Sequence, residues 1–204
     1  MKMTFNQMLL ASSLAALMTV GAAQAQDAPR VGVRGAITAL DGDAMQVKVN
    51  SGEDVTVHLT KDTLVRAVTL AKIEDIKPGS YIGSAAMPNA DGTLTALEVH
   101  VFPPAMAGTG DGHRAFDLKE GSSMTNGTVG DLVVSHGRTL TVKYKGGEQK
   151  IVVPDDVPLV NLEPGDRSLF KPGVKVVMFA ANGADGPITA QAISAGTAGV
   201  TPSW

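Results

Sequence analysis

Residues 77–96 read KPGSYIGSAAMPNADGTLTA, and residues 171–190 read KPGVKVVMFAANGADGPITA. The Lys-Pro-Gly, Asp-Gly and Thr-Ala elements of the two stretches are all offset by the same 94 positions. Self-similarity at a fixed spacing is the signature of a repeated structural unit. We therefore expect two copies of one module in this chain.

The match continues upstream of both stretches with a small slippage. Residues 45–49 (MQVKV) correspond to residues 140–144 (LTVKY), and residues 35–37 (GAI) correspond to residues 127–129 (GTV). Apolar and polar residues alternate through these runs, and Gly- or Asp-containing turns separate them, which is typical of short strands.

Each copy is predicted to contain five strands. The predicted strands are 33–40, 44–50, 54–59, 80–86 and 93–102 in the first copy, and 125–134, 138–144, 147–153, 173–180 and 186–194 in the second. A helix-compatible segment, Leu70–Ile76, lies between the third and fourth strands, and its counterpart, Glu163–Phe170, is expected to form one helical turn at most. This order is that of an OB-type barrel, although an open meander or an SH3-like barrel has the same periodicity.

The predicted fold class is all-β, with two tandem small five-stranded OB-like β-barrels, each with at most one short helix. The predicted divisions are OB-like repeat 1 at 31–104, a Gly-rich connection at 105–123, OB-like repeat 2 at 124–196 and a flexible tail at 197–204. Because the chain has no Cys and only 4% aromatic residues, the cores are expected to be aliphatic and free of disulfides.

The first 25 residues have the pattern of a secretory signal peptide. An apolar run at 8–20 follows Lys2, and Ala23-Gln24-Ala25 provides a cleavage site. The run is shorter than the roughly 20 residues that span a bilayer, and no Cys is available for lipid attachment. We expect a periplasmic or secreted product with no membrane span after signal cleavage.

Charge and composition argue against several classes of function. The formal net charge of −3 and the scarcity of aromatic residues disfavour a nucleic-acid partner or an anionic membrane surface. The chain has no Gly-x-Ser-x-Gly elbow, no His-Glu-x-x-His motif, no Walker loop and no Cys nucleophile. The prediction is a protein that is not an enzyme, and an atypical hydrolase remains an alternative because Ser, His and Asp are present.

Four residues near the connection form a candidate metal site. Alternation places Glu98 and His100 on one strand face, where the second copy has an alanine and a serine, and Asp111 and His113 follow in the Gly-rich connection. Imidazole and carboxylate groups can bind zinc or another divalent transition metal. The alternative is a solvated strand face followed by a polar linker.

The repeat pattern resembles a known family. The elements Gly-x-[Ile/Val], [Met/Leu]-x-Val-Lys-[Val/Tyr], Lys-Pro-Gly and Asp-Gly-x-[Leu/Ile]-Thr-Ala resemble the tandem OB-like repeats of an uncharacterised domain family of exported bacterial proteins. Residues 98–103, 108–114 and 123–126 look like a subgroup often labelled "metal ABC transporter permease". A permease requires several long apolar spans, and none follows the signal peptide. The resemblance implies a fold and a compartment, and no catalytic residues.

The sequence therefore favours a periplasmic, non-catalytic binding or assembly module whose partner is an unidentified periplasmic protein or small ligand. The first alternative is a periplasmic divalent-metal-binding protein, accessory to metal transport, that uses Glu98, His100, Asp111 and His113. The second alternative is an atypical hydrolase.

Overall fold

The computed structural model describes residues 30–133, 138–182 and 188–204, so the predicted signal peptide lies outside the described residues. The described chain forms thirteen strands: β1 (Arg30–Asp41), β2 (Ala44–Val49), β3 (Asp54–His58), β4 (Leu64–Leu70), β5 (Tyr81–Pro88), β6 (Leu94–Val101), β7 (Gly112–Ala115), β8 (Ser123–Val133), β9 (Arg138–Tyr144), β10 (Gly147–Val153), β11 (Leu159–Pro164), β12 (Lys175–Asn182) and β13 (Ile188–Gly196). Three short 3-10 helices interrupt them at Ile73–Asp75, Pro104–Met106 and Arg167–Leu169.

The all-β prediction is confirmed. All ten predicted strands are present within a few residues of their expected bounds, and β4, β7 and β11 are additional. The helix-compatible segment Leu70–Ile76 forms only the short 3-10 helix Ile73–Asp75, within the prediction of at most one short helix. Leu70 still belongs to β4, where it pairs with Val160 of β11.

The hydrogen-bonded sheet closes on itself twice. One five-stranded barrel runs β1-β2-β3-β13-β12, and it closes where β12 pairs with β1. The other runs β8-β9-β10-β6-β5, and it closes where β5 pairs with β8. We call these the first and the second barrel. Each contains one parallel pair, β3 with β13 and β10 with β6.

The two predicted repeats exchange strands. Each barrel takes its first three strands from one repeat and its last two from the other, so residues 31–104 and 124–196 do not form separate consecutive barrels. Alternation along a strand determines which face is buried, but it does not determine which of two similar partner strands completes the barrel. The sequence predicted that each repeat forms its own barrel, and the structure does not have this arrangement.

The Lys-Pro-Gly turns help to fix the exchange. Gly79 has φ +91°, and the main-chain nitrogen of Ser80 donates to the Lys77 oxygen at 2.9 Å, as in a type II turn. The main-chain nitrogen of Gly79 donates to the oxygen of Val129, which belongs to the other repeat, at 2.8 Å. The second turn repeats this contact between Gly173 and Ile37, also at 2.8 Å.

Each barrel has its own aliphatic core. The first core includes Ile37, Met45, Val47, Val57, Met178 and Ile193, and the second includes Ile82, Val99, Leu140, Val142, Ile151 and Val153. Phe170 joins the first core and Ile76 joins the second, each immediately after a 3-10 helix at equivalent positions of the repeat. The predicted aliphatic character of the cores is confirmed.

Strands β4 and β11 link the barrels. They pair antiparallel, and Val68 lies directly opposite Leu162, its own counterpart in the repeat. A third buried cluster covers this junction and includes both residues together with Tyr81, Phe102 and Trp204. The described residues include no helix that is long and apolar enough to cross a membrane.

The tail is ordered against this junction, so the prediction of a flexible segment at 197–204 is wrong. Trp204 is only 3% exposed, and its main-chain oxygen accepts a hydrogen bond from Arg34 Nε at 3.0 Å. The main-chain nitrogen and the hydroxyl of Thr197 both donate to the oxygen of Val68. A large aromatic ring that would be costly to leave in water anchors the segment by packing.

Candidate functional site

Glu98 and His100 form a buried pair at the junction of the barrels. His100 Nδ1 lies 3.0 Å from Glu98 Oε1, and the hydroxyl of Ser203 donates to Glu98 Oε2 at 3.1 Å. A carboxylate only accepts hydrogen bonds, so His100 Nδ1 is the donor in its contact with Glu98. Glu98 and His100 therefore share one face of their strand, as predicted, but this face is buried at the junction rather than solvated.

Aromatic rings and a glycine hold the imidazole in place. The His100 ring lies 4.9 Å from Trp204 and 4.9 Å from Phe102, measured between centroids. Gly83 lies between His100 and Asn126 on three adjacent strands. A Cβ at Gly83 would lie 2.1 Å from His100 Nε2 and 2.7 Å from Asn126 Oδ1. Both side chains can therefore occupy these positions only because residue 83 has no side chain.

Asp111 and His113 have other partners. Asp111 accepts hydrogen bonds from the Tyr81 hydroxyl at 3.4 Å and from the main-chain nitrogen of Lys145 at 2.7 Å. His113 Nδ1 lies 2.8 Å from Thr125 Oγ1. In the described part of the chain, no three His, Asp or Glu side chains are close enough together to hold one metal ion.

The predicted four-residue metal site is therefore not formed by the described residues. Only Glu98 and His100 of the four come together. His113 lies on β7, which pairs along β8, and this pairing directs its ring to Thr125 rather than to His100. Strand alternation relates neighbours on one strand, but the position of a loop or an added edge strand depends on tertiary packing.

The contact between His113 and Thr125 also bears on the hydrolase alternative. A nucleophilic hydroxyl within hydrogen-bond reach of a histidine is the arrangement that such an enzyme needs. The Thr125 hydroxyl lies within this reach of His113, but Thr125 is 0% exposed, so a substrate has no access to the hydroxyl in this structure.

A cleft of about 760 Å³ opens between the barrels beside His100. Its walls come from β1, β4, β6, β8, β11, β12 and β13, from residues 109–117 and from the tail. The large apolar and aromatic lining side chains are Leu64, Phe102, Phe116, Met124, Leu162, Phe179 and Trp204. The predicted Gly-rich connection, 105–123, therefore contributes one wall of this cleft. Volume and lining both fit a small organic ligand.

Arg66 is the distinctive polar group of the cleft. It lies on β4 on the same face as Leu64 and Val68, is partly buried, and its guanidinium makes no hydrogen bond or ion pair with any described residue. Burial lowers its pKa below the usual arginine value. A partly desolvated guanidinium without a protein partner is unfavourable unless water or a ligand solvates it.

The acidic residue of the cleft wall is already paired. Arg34 donates to both carboxylate oxygens of Asp117, at 3.2 and 2.7 Å, and these hydrogen bonds hold the pKa of Asp117 below its usual value. Arg114, also on the wall, donates to the Gly110 oxygen at 2.9 Å. The charge of Asp117 is therefore neutralised at the cleft, whereas no described residue neutralises that of Arg66.

Sequence reasoning did not identify Arg66 or Trp204 as site residues. Arg66 interrupts the apolar run LVRAV at 64–68, and a charged residue on the apolar face of a strand is a signal that could have been followed. The sequence predicts only a flexible tail around Trp204, and the fold alone places Trp204 beside His100.

Comparison with known proteins adds no further constraint. The chain matches no protein-family profile, no curated protein and no solved structure. The resemblance to an uncharacterised tandem-repeat family stays a prediction from sequence, and the functional argument rests on the cleft itself.

Proposed function

We propose that this chain is a non-catalytic periplasmic binding protein whose ligand is a small organic molecule held in the cleft between the two barrels. The observation that carries the proposal is a cleft of about 760 Å³ with apolar and aromatic walls and with Arg66, whose guanidinium has no partner among the described residues. Small-molecule sites are concave, mostly apolar and supplied with a few polar groups that orient the ligand. The periplasmic location rests on the signal-peptide pattern of residues 1–25 alone.

The proposal is tested with the neutral dye N-phenyl-1-naphthylamine, whose fluorescence increases in apolar surroundings. We expect saturable binding of one dye per chain. Ala192 lines the cleft, so Ala192→Phe fills part of it and is expected to weaken dye binding at least tenfold. Thr56→Phe is the matched control, because it adds the same ring at an exposed position of β3 outside the cleft.

Trp204 provides a second readout. It is the single tryptophan of the chain and lies in the cleft wall, so its emission should change as the dye binds. Absence of saturable binding, or equal dye affinity in the wild type and in Ala192→Phe, would overturn the proposal. Circular dichroism of the variants establishes that they are folded.

A further inference from the structure

Charge and shape together restrict the class of ligand. The wall beside Arg66 is apolar, since Leu64 precedes it on the same face of β4 with 59% of its surface exposed. Leu162 and Phe179 line the same cleft. A ligand that satisfies this surface needs an apolar body to cover the side chains and a charged group to pair with the guanidinium.

The sign of that charged group follows from the partners of the nearby acids. Asp117 is paired with Arg34, and Glu98 is fully buried behind His100. Asp111 is bound to Tyr81 and to the main chain of Lys145. The cleft thus presents an excess of positive charge although the whole chain has a net charge of −3. General surface charge does not explain this local excess.

We infer that the cleft binds an amphipathic anion, with its carboxylate or other acidic headgroup on Arg66 and its apolar body along Leu64, Leu162 and Phe179. The inference rests on the proposed function, because it names the ligand class of the same cleft. Guanidinium groups pair with carboxylates and phosphates through two parallel hydrogen bonds, and partial burial strengthens such pairs. Arg66 has these donors uncommitted among the described residues.

The test uses displacement of N-phenyl-1-naphthylamine from the full chain by four ligands with the same ten-carbon tail. These are decanoate, decyl phosphate, 1-decanol and decylammonium at pH 7.5. We expect one of the two anions, or both, to displace the dye at a concentration at least tenfold lower than decanol, and decylammonium to be the weakest. The difference between decanoate and decyl phosphate identifies the preferred acidic group.

Two variants assign the preference to Arg66. Arg66→Met keeps the length of the side chain and removes its charge, so it should abolish the advantage of the anions over decanol while dye affinity changes less than threefold. Lys150→Met is the control, because it makes the same charge change at an exposed site of β10 outside the cleft. It should keep the wild-type order of ligands.

The possible failures are distinguishable. If the dye binds in the cleft but anions and decanol displace it equally, or if Arg66→Met keeps the preference for anions, this inference is wrong and the proposed function stands. If the dye does not bind the wild-type protein, the proposed function itself fails.

Discussion

The hydroxyl of Tyr81 lies where a negative charge is unfavourable. It donates to the Thr109 oxygen and to the Asp111 carboxylate, and the residue is 6% exposed. Burial, together with the charge and the hydrogen bond of Asp111, raises the pKa of Tyr81 to about 12. The folded state therefore resists ionisation of this phenol more strongly than the unfolded chain, where the pKa is about 10.

A loss of stability at alkaline pH follows. Because the folded-state pKa is the higher one, the contribution of Tyr81 is fully present below about pH 10 and is lost as the pH rises through about 12. Denaturant unfolding at pH 9 and pH 11.5 should show a smaller loss of stability in Tyr81→Phe than in the wild type. Tyr144→Phe, which changes the other tyrosine of the chain, should retain the wild-type loss. Equal losses in all three proteins would contradict the prediction.

At the residue scale, the sequence predicted one pair of the candidate site and not the other. Glu98 and His100 are two positions apart on one strand, and alternation alone places them on the same face. The partners of Asp111 and His113 come from β5, from β8 and from the turn between β9 and β10, and no local pattern encodes those neighbours. Arg66 was missed because its significance depends on the absence of a partner, which only the fold determines.

At the scale of elements, glycines are required for two different reasons. Gly35 and Gly127 lie where strands of a barrel approach closely, and a Cβ there would lie 2.2 Å from the Lys48 oxygen and 2.4 Å from the Lys143 oxygen. Gly79 has nothing within 4 Å of its missing Cβ, but its φ is +91°. The first pair is required for space, and the turn glycine is required for conformation.

This difference predicts an order of stabilities. Gly35→Ala should lower the free energy of unfolding by about 3 kcal/mol or more, because main-chain atoms must move apart. Gly79→Ala should cost about 1 kcal/mol, the strain of a left-handed backbone conformation at a residue with a Cβ. Urea denaturation measures both values. Gly130→Ala is the control, since its Cβ would contact only the flexible end of Lys143, and its effect should be below about 0.5 kcal/mol. A larger loss for Gly79→Ala than for Gly35→Ala would refute the argument.

Strands with strong alternation were predicted well and linking strands were not. The predicted bounds of β9 and β10 are those of the structure. Strands β4 and β11 are not predicted, because buried and exposed positions do not alternate regularly along either of them. A strand of this kind is recognisable only when its partners are known.

At the scale of the whole molecule, strand exchange should make the two barrels unfold as one unit. The last two strands of each repeat complete the barrel that contains the first three strands of the other repeat, so neither repeat can unfold without opening both barrels. Met178→Ala in the first core and Ile151→Ala in the second should each lower the stability by about 2–5 kcal/mol. We expect both to shift the same single transition, observed identically by Trp204 fluorescence and by far-UV circular dichroism.

A substitution at an exposed position is the control for this prediction. Thr56→Ala is exposed on β3 and should leave the transition within about 0.5 kcal/mol of the wild type. Two transitions, with Met178→Ala lowering only one and Ile151→Ala lowering only the other, would mean that the barrels are independent despite the exchanged strands.

The sequence by itself determined the all-β class, ten strands and the aliphatic cores, because these depend on alternation and composition within short segments. Only the tertiary structure decided which repeat completes each barrel, because two similar copies offer similar strand edges and local pattern does not distinguish them. The same packing placed Trp204 against His100 and left the Arg66 side chain in the cleft without a partner among the described residues. The candidate site is therefore a product of the junction between repeats, where residues far apart in the chain meet.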